Sequence, residues 1–431
     1  MQLITKNASG IIGWFLIILL LVYSFFSSPF PNKYGKAELV IGMLLVTIVI
    51  SHLGYFLNNL YKAKYIYSMY AFIWLLTIPT IIGIYRWNLS DMIRDIVPLF
   101  YLFLPLFLIH WCRNSTKYNY SEYIFPLTIV VAGGSFALRY FISGDIGLED
   151  LGQGTFLVNL KYYSYDPSVT FTMIYALLMG ISIVHSNSSH RYIKAVVLIG
   201  AALITFGSLG GIGQRAPLGI AALILIAYLY RSLKRSFVKL VASFILIIVI
   251  FLLFKETFMA IFSVLIEKTE VVGVNGKVAE FDIILSTLSN SWMDILFGLG
   301  WGAVYYNPVI GAVIRFSHSI IGFYLLKTGI IGFYILMLYM YWLARMYIKI
   351  LIYAWRYDVN KLPLIFAIGS APMIAMFQPT YKTLSFGLIM TMIPMLYYAM
   401  RDQIFVLNMT YDREGKSGHS DFLFAQIPKA G

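Results

Sequence analysis

The chain has 431 residues, of which 60% are hydrophobic and only 12% are charged. In soluble globular proteins about a quarter of the residues are normally charged, so this composition excludes an ordinary soluble globular protein. The net charge of +13 would indicate a nucleic-acid partner in a soluble protein. Membrane proteins, however, collect basic residues in their cytoplasmic loops, and we expect no nucleic-acid partner here. The single cysteine, Cys112, excludes an intrachain disulfide.

Twelve apolar stretches follow one another along the chain, each about as long as a helix that crosses a bilayer. They cover residues 10–28, 37–58, 66–85, 95–112, 121–142, 167–185, 192–209, 216–231, 238–257, 318–344, 362–378 and 384–402. The first stretch lacks the small-residue site of a cleaved signal peptide, so it is predicted to be a retained span. The sequence therefore predicts an all-α, polytopic integral membrane protein of about twelve spans, with one transmembrane domain over 1–402 and a polar cytoplasmic tail over 403–431.

The distribution of charge orients these spans. With the N-terminus in the cytoplasm, the inward connections carry the basic excess and the outward connections carry balanced charge, as the positive-inside rule requires. Only two connections are longer than a turn, at about 143–166 and about 258–317, and both face outward. Long connections are where binding and catalytic residues concentrate on a helical scaffold, so we expect the functional site on the outer side.

Arg215 stands in an outward turn rich in glycine, just before a span whose first turn contains Pro217. A guanidinium, free backbone amides and the positive end of a helix dipole together favour an anion site. The alternative interpretation is a tight turn with an arginine that reaches toward the membrane surface.

Arg315 and His318 precede the tenth apolar stretch. If the helix already begins there, their three-residue spacing places both side chains on one face. A neighbouring cation lowers the pKa of a histidine, and the neutral imidazole is the form that acts as a general base. The alternative is an ordinary hydrogen-bonded histidine at the membrane surface.

Other charged residues border the same outer side. Glu280 and Asp282 form too weak a pattern for a metal site, so we expect neither metal nor another cofactor; they would instead hydrogen-bond hydroxyl groups of a substrate or hold Lys277 in an ion pair. Further candidates for substrate binding, or plain interfacial anchors, are Arg139, Lys161, Asp166 and Lys382. Lys327 lies nine residues into its helix, where an unpaired charge is costly, and it is predicted to have a partner that the sequence does not identify.

Four short motifs carry a resemblance to a known family. They are His318-Ser319 followed after nine residues by Gly329-Ile330-Ile331-Gly332, Leu296-Phe297-Gly298-Leu299-Gly300, Gly213-Gln214-Arg215-Ala216 and Asp166-Pro167-Ser168. In their order and spacing the chain resembles, over about 140–345, the O-antigen polymerase and O-antigen ligase superfamily of polyprenol-dependent membrane glycosyltransferases. It departs from that family in having Gln214 where serine is usual, Ser319 where asparagine is commoner, and only lysines before Arg315 in the large loop.

The resemblance implies an inverting, metal-independent glycosyltransferase at the outer face of the bacterial inner membrane, with both termini cytoplasmic. Its donor and acceptor would be oligosaccharides linked to undecaprenyl diphosphate in the lipid bilayer, and a chain-length regulator protein would be a further partner. Arg215 and Arg315 would bind the diphosphate, and His318 would accept the proton of the acceptor hydroxyl. The first hypothesis is a polymerase of repeat units. The alternatives are a ligase that transfers glycan to lipid A–core and a polysaccharide flippase or other transporter.

Overall fold

The computed structural model describes residues 2–27, 41–43, 47, 66–114, 120–145, 160–184, 190–233, 237–272, 276–307 and 311–401. These residues are almost entirely helical, as the sequence predicted. The predicted tail over 403–431 and most of the predicted span over 37–58 lie outside the described residues.

The helices follow in chain order as α1 (Gln2–Phe26), α2 (Ile66–Arg86), α3 (Leu89–Leu102), α4 (Leu104–Phe107), α5 (Ile109–Asn114), α6 (Phe125–Gly144), α7 (Lys161–Ser164), α8 (Pro167–Val184), α9 (Arg191–Gly211), α10 (Arg215–Leu233), α11 (Phe237–Leu253), α12 (Lys255–Val272), α13 (Gly276–Leu288), α14 (Trp292–Phe297), α15 (Ile320–Arg356), α16 (Leu362–Ala375) and α17 (Leu384–Ala399). One π-helical turn (Tyr120–Ile124) precedes α6, and 3-10 turns (Val359–Lys361 and Pro379–Lys382) precede α16 and α17. Strands β1 (Tyr305–Asn307) and β2 (Ala312–Ile314) pair antiparallel in a short hairpin.

Within the described residues, five helical segments are long and apolar enough to cross a membrane, and a bent pair of helices would add a sixth. The five are Tyr67–Arg86, Glu122–Gly144, Pro167–Val184, Arg191–Gly211 and Ile320–Arg356. Shorter apolar helices are Ile12–Phe26, Val359–Ala375 and Leu384–Ala399. The structure thus agrees with an all-α membrane protein, and the count of twelve spans stays a prediction.

One predicted span, over 95–112, is not a continuous helix. It is divided into α3, α4 and α5, with non-helical residues at Phe103 and Leu108. Pro98 and Pro105 lie on either side of the first break. A proline ring removes a backbone donor and clashes with the preceding turn, so two of them seven residues apart interrupt a helix that hydropathy alone makes continuous.

The predicted outward loop over 258–317 is an ordered segment with secondary structure of its own. It contains most of α12, all of α13 and α14, and the β1–β2 hairpin. Between α14 and β1, the glycines at 298, 300 and 302 have positive φ. The chain passes close to α15 and α2 at these positions. The predicted long connection thus contains helices of its own, and its outward orientation stays a prediction.

The helix that follows His318 is broken. Gly329 in α15 has φ 63° and ψ −170°, so residues 320–328 form a short helix of their own before the long helix over 330–356. A Cβ at Gly329 would lie 2.5 Å from the backbone nitrogen of Gly298. The break at Gly329 thus gives space for the backbone of residues 296–298, which contacts the helix at this point.

The long helices give the molecule two distinct ends. At the basic end, Arg231 Nε donates to the backbone carbonyl of Trp355 over 2.6 Å, and Lys361 Nζ lies 2.9 Å from Glu122 Oε1. At the site end lie the residues before α15, including His318. Helix α8 packs against α6, α9 and α16 between the two ends and forms much of the core.

Candidate functional site

His318 is held by a buried carboxylate. Its Nδ1 lies 2.7 Å from Glu280 Oε2, and its backbone N–H donates to Glu280 Oε1 over 2.9 Å. Tyr305 Oη donates to the same Oε1 over 2.6 Å. The Glu280 side chain is only 5% exposed, whereas that of His318 is 45% exposed. The site therefore presents an accessible imidazole on a buried acidic support.

This geometry fixes the tautomer of the imidazole. Burial raises the pKa of Glu280, but the hydrogen bonds and charge of His318, together with Tyr305, outweigh it and lower that pKa to about 2. An ionised carboxylate only accepts hydrogen bonds, so His318 Nδ1 carries the proton. In the neutral ring, Nε2 then holds the lone pair, and no hydrogen bond to Nε2 is formed within the described part of the chain. His318 is thus arranged as a general base.

The shared helical face predicted for Arg315 and His318 is wrong. Helix α15 begins at Ile320, and Ser319 is its N-cap, whose hydroxyl accepts from the backbone N–H of Gly322 over 3.0 Å. Arg315 and His318 both precede the helix, outside any helix or strand, and the charged group that hydrogen-bonds His318 is Glu280 rather than a cation. A serine cap explains the late start, since it fixes the residue before the first turn outside the helix.

Arg315 is held on helix α3. Its Nη2 pairs with Asp91 Oδ1, while its Nε and Nη1 are buried and have no partner among the described residues. The side chain is 14% exposed. Sequence reasoning missed Asp91, although a carboxylate next to an apolar stretch is a recognisable sign of a partner.

Lys327 has the partner that the sequence could not identify. Its Nζ lies 2.6 Å from Asp95 Oδ2, and both side chains are completely buried. Asp95 Oδ2 also accepts from the backbone N–H of Gly302 over 2.7 Å, and Lys327 Nζ donates to the carbonyl of Ala303. Asp91 and Asp95 lie one turn apart on α3, so this helix holds both cations of the segment around His318.

Lys382 also lies at this end, in the 3-10 turn before α17. Its Nζ is 3.1 Å from the ring centroid of Phe316 and 5.4 Å from that of Phe323. Tyr381 Oη donates to the carbonyl of Ser317 over 3.2 Å, which fixes this turn against the residues before His318. The structure therefore brings together four predicted site residues, His318, Glu280, Arg315 and Lys382.

Arg215 lies at the same end of the molecule. It is the exposed first residue of α10. Because Arg231 of α10 binds the end of α15 that is farthest from His318, the start of α10 points toward the site end. The glycine-rich turn is shorter than predicted, since Gly207, Gly210 and Gly211 belong to α9 and only Gly213 adopts positive φ between the helices.

Asp166 and Lys161 flank the start of α8. Asp166 Oδ1 accepts from the backbone N–H of Ser168 over 2.9 Å and from its hydroxyl over 2.5 Å. Burial raises the pKa of Asp166 to about 6, although hydrogen bonds from Ser168, Ser385 and Tyr23 lower it. Burial also lowers the pKa of Lys161. The contacts of Asp166 are those of a helix-capping residue.

The remaining two candidates have other surroundings. Arg139 donates to the carbonyls of Ser24 and Ser27 at the end of α1 and lies over the ring of Tyr163, 4.5 Å from its centroid. Its donors thus satisfy carbonyls that the end of a helix leaves free. Asp282 is exposed on α13, two residues after the buried Glu280.

Fold and site together define a helical protein with helices able to cross a membrane and, at one end, an accessible histidine on a buried glutamate beside two cations. A scan against models of known protein families finds no match for this chain. A search of curated proteins likewise finds no similar sequence.

Proposed function

We propose that the protein is a polysaccharide polymerase of the bacterial inner membrane, which transfers glycan from undecaprenyl diphosphate onto a second lipid-linked repeat unit at the outer face. The observation that carries the proposal is the His318–Glu280 pair, in which the side chain of His318 is 45% exposed and Nε2 has no hydrogen-bond partner among the described residues, with Arg315 three residues before it. A base and a cation at one end of a helical membrane protein are what glycosyl transfer from a lipid diphosphate requires.

In the proposed reaction, His318 Nε2 takes the proton of the acceptor hydroxyl. The oxygen attacks the anomeric carbon as the bond from that carbon to the diphosphate oxygen breaks, which inverts the centre. Glu280, ionised and bonded to Nδ1, stabilises the imidazolium that forms. A positioned base of this kind contributes typically about 10²–10⁴-fold to rate.

The departing diphosphate gains negative charge as its bond to the sugar breaks. Arginine binds phosphate oxygens in pairs through its planar guanidinium, and a charge placed where charge develops favours the transition state. Arg315, with two nitrogens that lack a partner among the described residues, and Arg215, at the start of α10, are the residues proposed for this role. The polyprenyl tail needs no tight pocket, since lipid burial contributes about 0.8 kcal/mol per methylene.

Substitution of the base tests the mechanism directly. His318→Asn should lower glycan extension by about 10²-fold or more with normal membrane insertion. His190→Asn is the matched control, because His190 is exposed and asparagine tolerates its positive φ of 55°. Extension that is unchanged by His318→Asn would remove the histidine from the mechanism.

Two further variants separate the supporting roles. Glu280→Gln should lower the rate while substrate binding is retained, with the exposed Glu256→Gln as control. Arg215→Lys should remain badly impaired, because a point charge cannot replace a paired guanidinium. Activity equal to the parent protein in Arg215→Lys would make that arginine only an anchor.

The glycan pattern of a deletion strain tests the class of reaction. Loss of a polymerase leaves a single repeat unit on the lipid A–core, which is the expected result. Bare core with polymer accumulated on the lipid carrier would instead indicate a ligase. Failure to expose the donor on the outer face would indicate a flippase, and either of these results contradicts the proposal.

A further inference from the structure

Two donors of the Arg315 guanidinium have no acceptor among the described residues. Asp91 pairs with Nη2 alone, and Nε and Nη1 remain buried and without a partner in the described part of the chain. Buried donors in proteins are nearly always hydrogen-bonded, because an unsatisfied one loses its water without compensation. These two nitrogens therefore point to an acceptor that arrives with a ligand.

Lys382 also has N–H donors without an acceptor among the described residues. Its ammonium contacts the rings of Phe316, Phe323 and Tyr381 but forms no ion pair or hydrogen bond with any described residue. An aromatic face attracts a cation, yet it leaves the three N–H donors unsatisfied. A partly buried lysine without a carboxylate is unusual, since charged groups away from water are normally paired.

Lys382 and Arg315 both lie close to the ring of Phe316. Lys382 Nζ lies 3.1 Å from the Phe316 ring centroid, and Arg315 Cζ lies 5.8 Å from the same point. The two cationic centres are therefore separated by no more than the sum of these distances. A ligand that satisfies both must carry several acceptor oxygens and negative charge, which describes a phosphate or diphosphate group.

We propose that Lys382 and Arg315 form a single anion site that binds a diphosphate group beside the Phe316 ring, with Asp91 holding the opposite edge of Arg315. The source of the anion, the lipid-linked donor, rests on the function proposed above. The site itself rests on the unsatisfied donors and does not depend on the reaction. Lys382 joins it from a turn more than sixty residues away in sequence, next to α17.

Binding at this site should be linked to proton uptake. Burial lowers the pKa of Lys382 well below its usual range; Asp95 and Glu280 oppose this, whereas Lys327 and Arg315 add to it. A bound anion favours the charged ammonium. Protein molecules in which Lys382 is neutral must therefore take up a proton when the anion binds. Affinity should then fall as the pH rises, and Lys382→Arg, which stays charged, should weaken that pH dependence.

Titration calorimetry of inorganic pyrophosphate into the purified full-length protein in detergent tests the site. Lys382→Met and Arg315→Gln should each weaken binding about tenfold or more, because each removes a charge-assisted contact. Lys349→Met is the matched control, since Lys349 also faces an aromatic ring, that of Tyr397, but lies toward the basic end. Equal affinity of Lys382→Met and the parent protein would overturn the proposal.

The source of the anion is tested in nanodiscs. Discs that contain a polyprenyl diphosphate should compete with pyrophosphate, and the competition should depend on Lys382. Competition by inorganic phosphate alone, with none by the lipid, would overturn the lipid source. A Lys382→Met protein that extends glycan poorly but binds pyrophosphate normally would refute this site and leave the role of His318 intact. If the protein binds pyrophosphate through Lys382 but has no transferase activity, the anion site is supported and the proposed function is contradicted.

Discussion

Glu280 and Asp166 are both buried acids at the site end, yet their pKa values shift in opposite directions. Burial raises the pKa of both carboxyls, but the charge and hydrogen bonds of His318 lower that of Glu280 to about 2. Asp166 has only Ser168, Ser385 and Tyr23 to oppose burial, and its pKa rises to about 6. The hydrogen bonds that His318 and Tyr305 supply, rather than depth of burial, therefore decide in which direction the pKa of a carboxyl at this end shifts.

Asp166→Asn should stabilise the protein at neutral pH. The ordinary pKa of 3.8 rises to about 6 on folding, so the folded state binds the proton more tightly. In the parent protein, the contribution of Asp166 to the free energy of unfolding is fully present below pH 3.8. It falls by about 3 kcal/mol as the pH rises through 6. Asparagine keeps an acceptor for Ser168 and carries no charge. Thermal unfolding followed across this range should show a flatter profile for the variant than for the parent protein.

The exposed Asp282→Asn provides the control for that measurement, because its carboxyl lies in water and its replacement should leave the profile unchanged. A loss of stability at neutral pH in Asp166→Asn would show that folding does not raise the pKa of Asp166.

Single residues of the site were partly predictable. His318 and Glu280 both stood out in the sequence, but their contact spans 38 positions and joins α13 to the segment before α15, so no local pattern revealed it. Tyr305 gave no signal at all. Asp91 and Asp95 did give one, as carboxylates one turn apart beside an apolar stretch, and the need of Lys327 for a partner pointed to such a residue.

At the scale of elements, the glycine pattern after His318 marks a break where hydropathy indicated an unbroken span. Gly298 and Gly329 both have positive φ and contact one another through their backbones. The backbone N–H of Gly300 also donates to the carbonyl of Lys327 over 3.0 Å. Hydropathy could not reveal this contact, because it depends on two chain segments that meet only in the folded protein.

Gly298→Ala and Gly329→Ala should each destabilise the protein by about 2 kcal/mol or more, since a Cβ at either position meets backbone atoms at 2.5 Å and disfavours the positive φ. Gly200→Ala is the control. It lies in helix α9 with no atom within 4 Å of the added carbon and should be neutral or stabilising by up to about 1 kcal/mol. Thermal unfolding in detergent compares the three, and equal stability of all three would mean that the backbone contact does not form.

At the scale of the whole molecule, the Asp95–Lys327 pair connects α3, the segment after α14 and the short helix over 320–328. Each single variant, Asp95→Asn or Lys327→Met, leaves one buried charge without its partner and should destabilise the protein by about 3–5 kcal/mol. The double variant removes both charges and should recover most of that loss. Additive effects in the double-mutant cycle would show that the two residues act independently.

The charges at the two ends of the molecule predict its orientation in the membrane. The basic end carries Arg231, Arg356 and Lys361 and is therefore expected in the cytoplasm, with His318 at the outer face. A membrane-impermeant thiol reagent applied to intact cells tests this, because the only natural cysteine is completely buried.

Asp282→Cys, exposed beside Glu280, should be labelled in intact cells, whereas the exposed Asn360→Cys should react only after the membrane is opened. The reverse pattern would put the base on the cytoplasmic side. There it could not reach a donor that has crossed the membrane, and the proposed reaction would fail on topology alone.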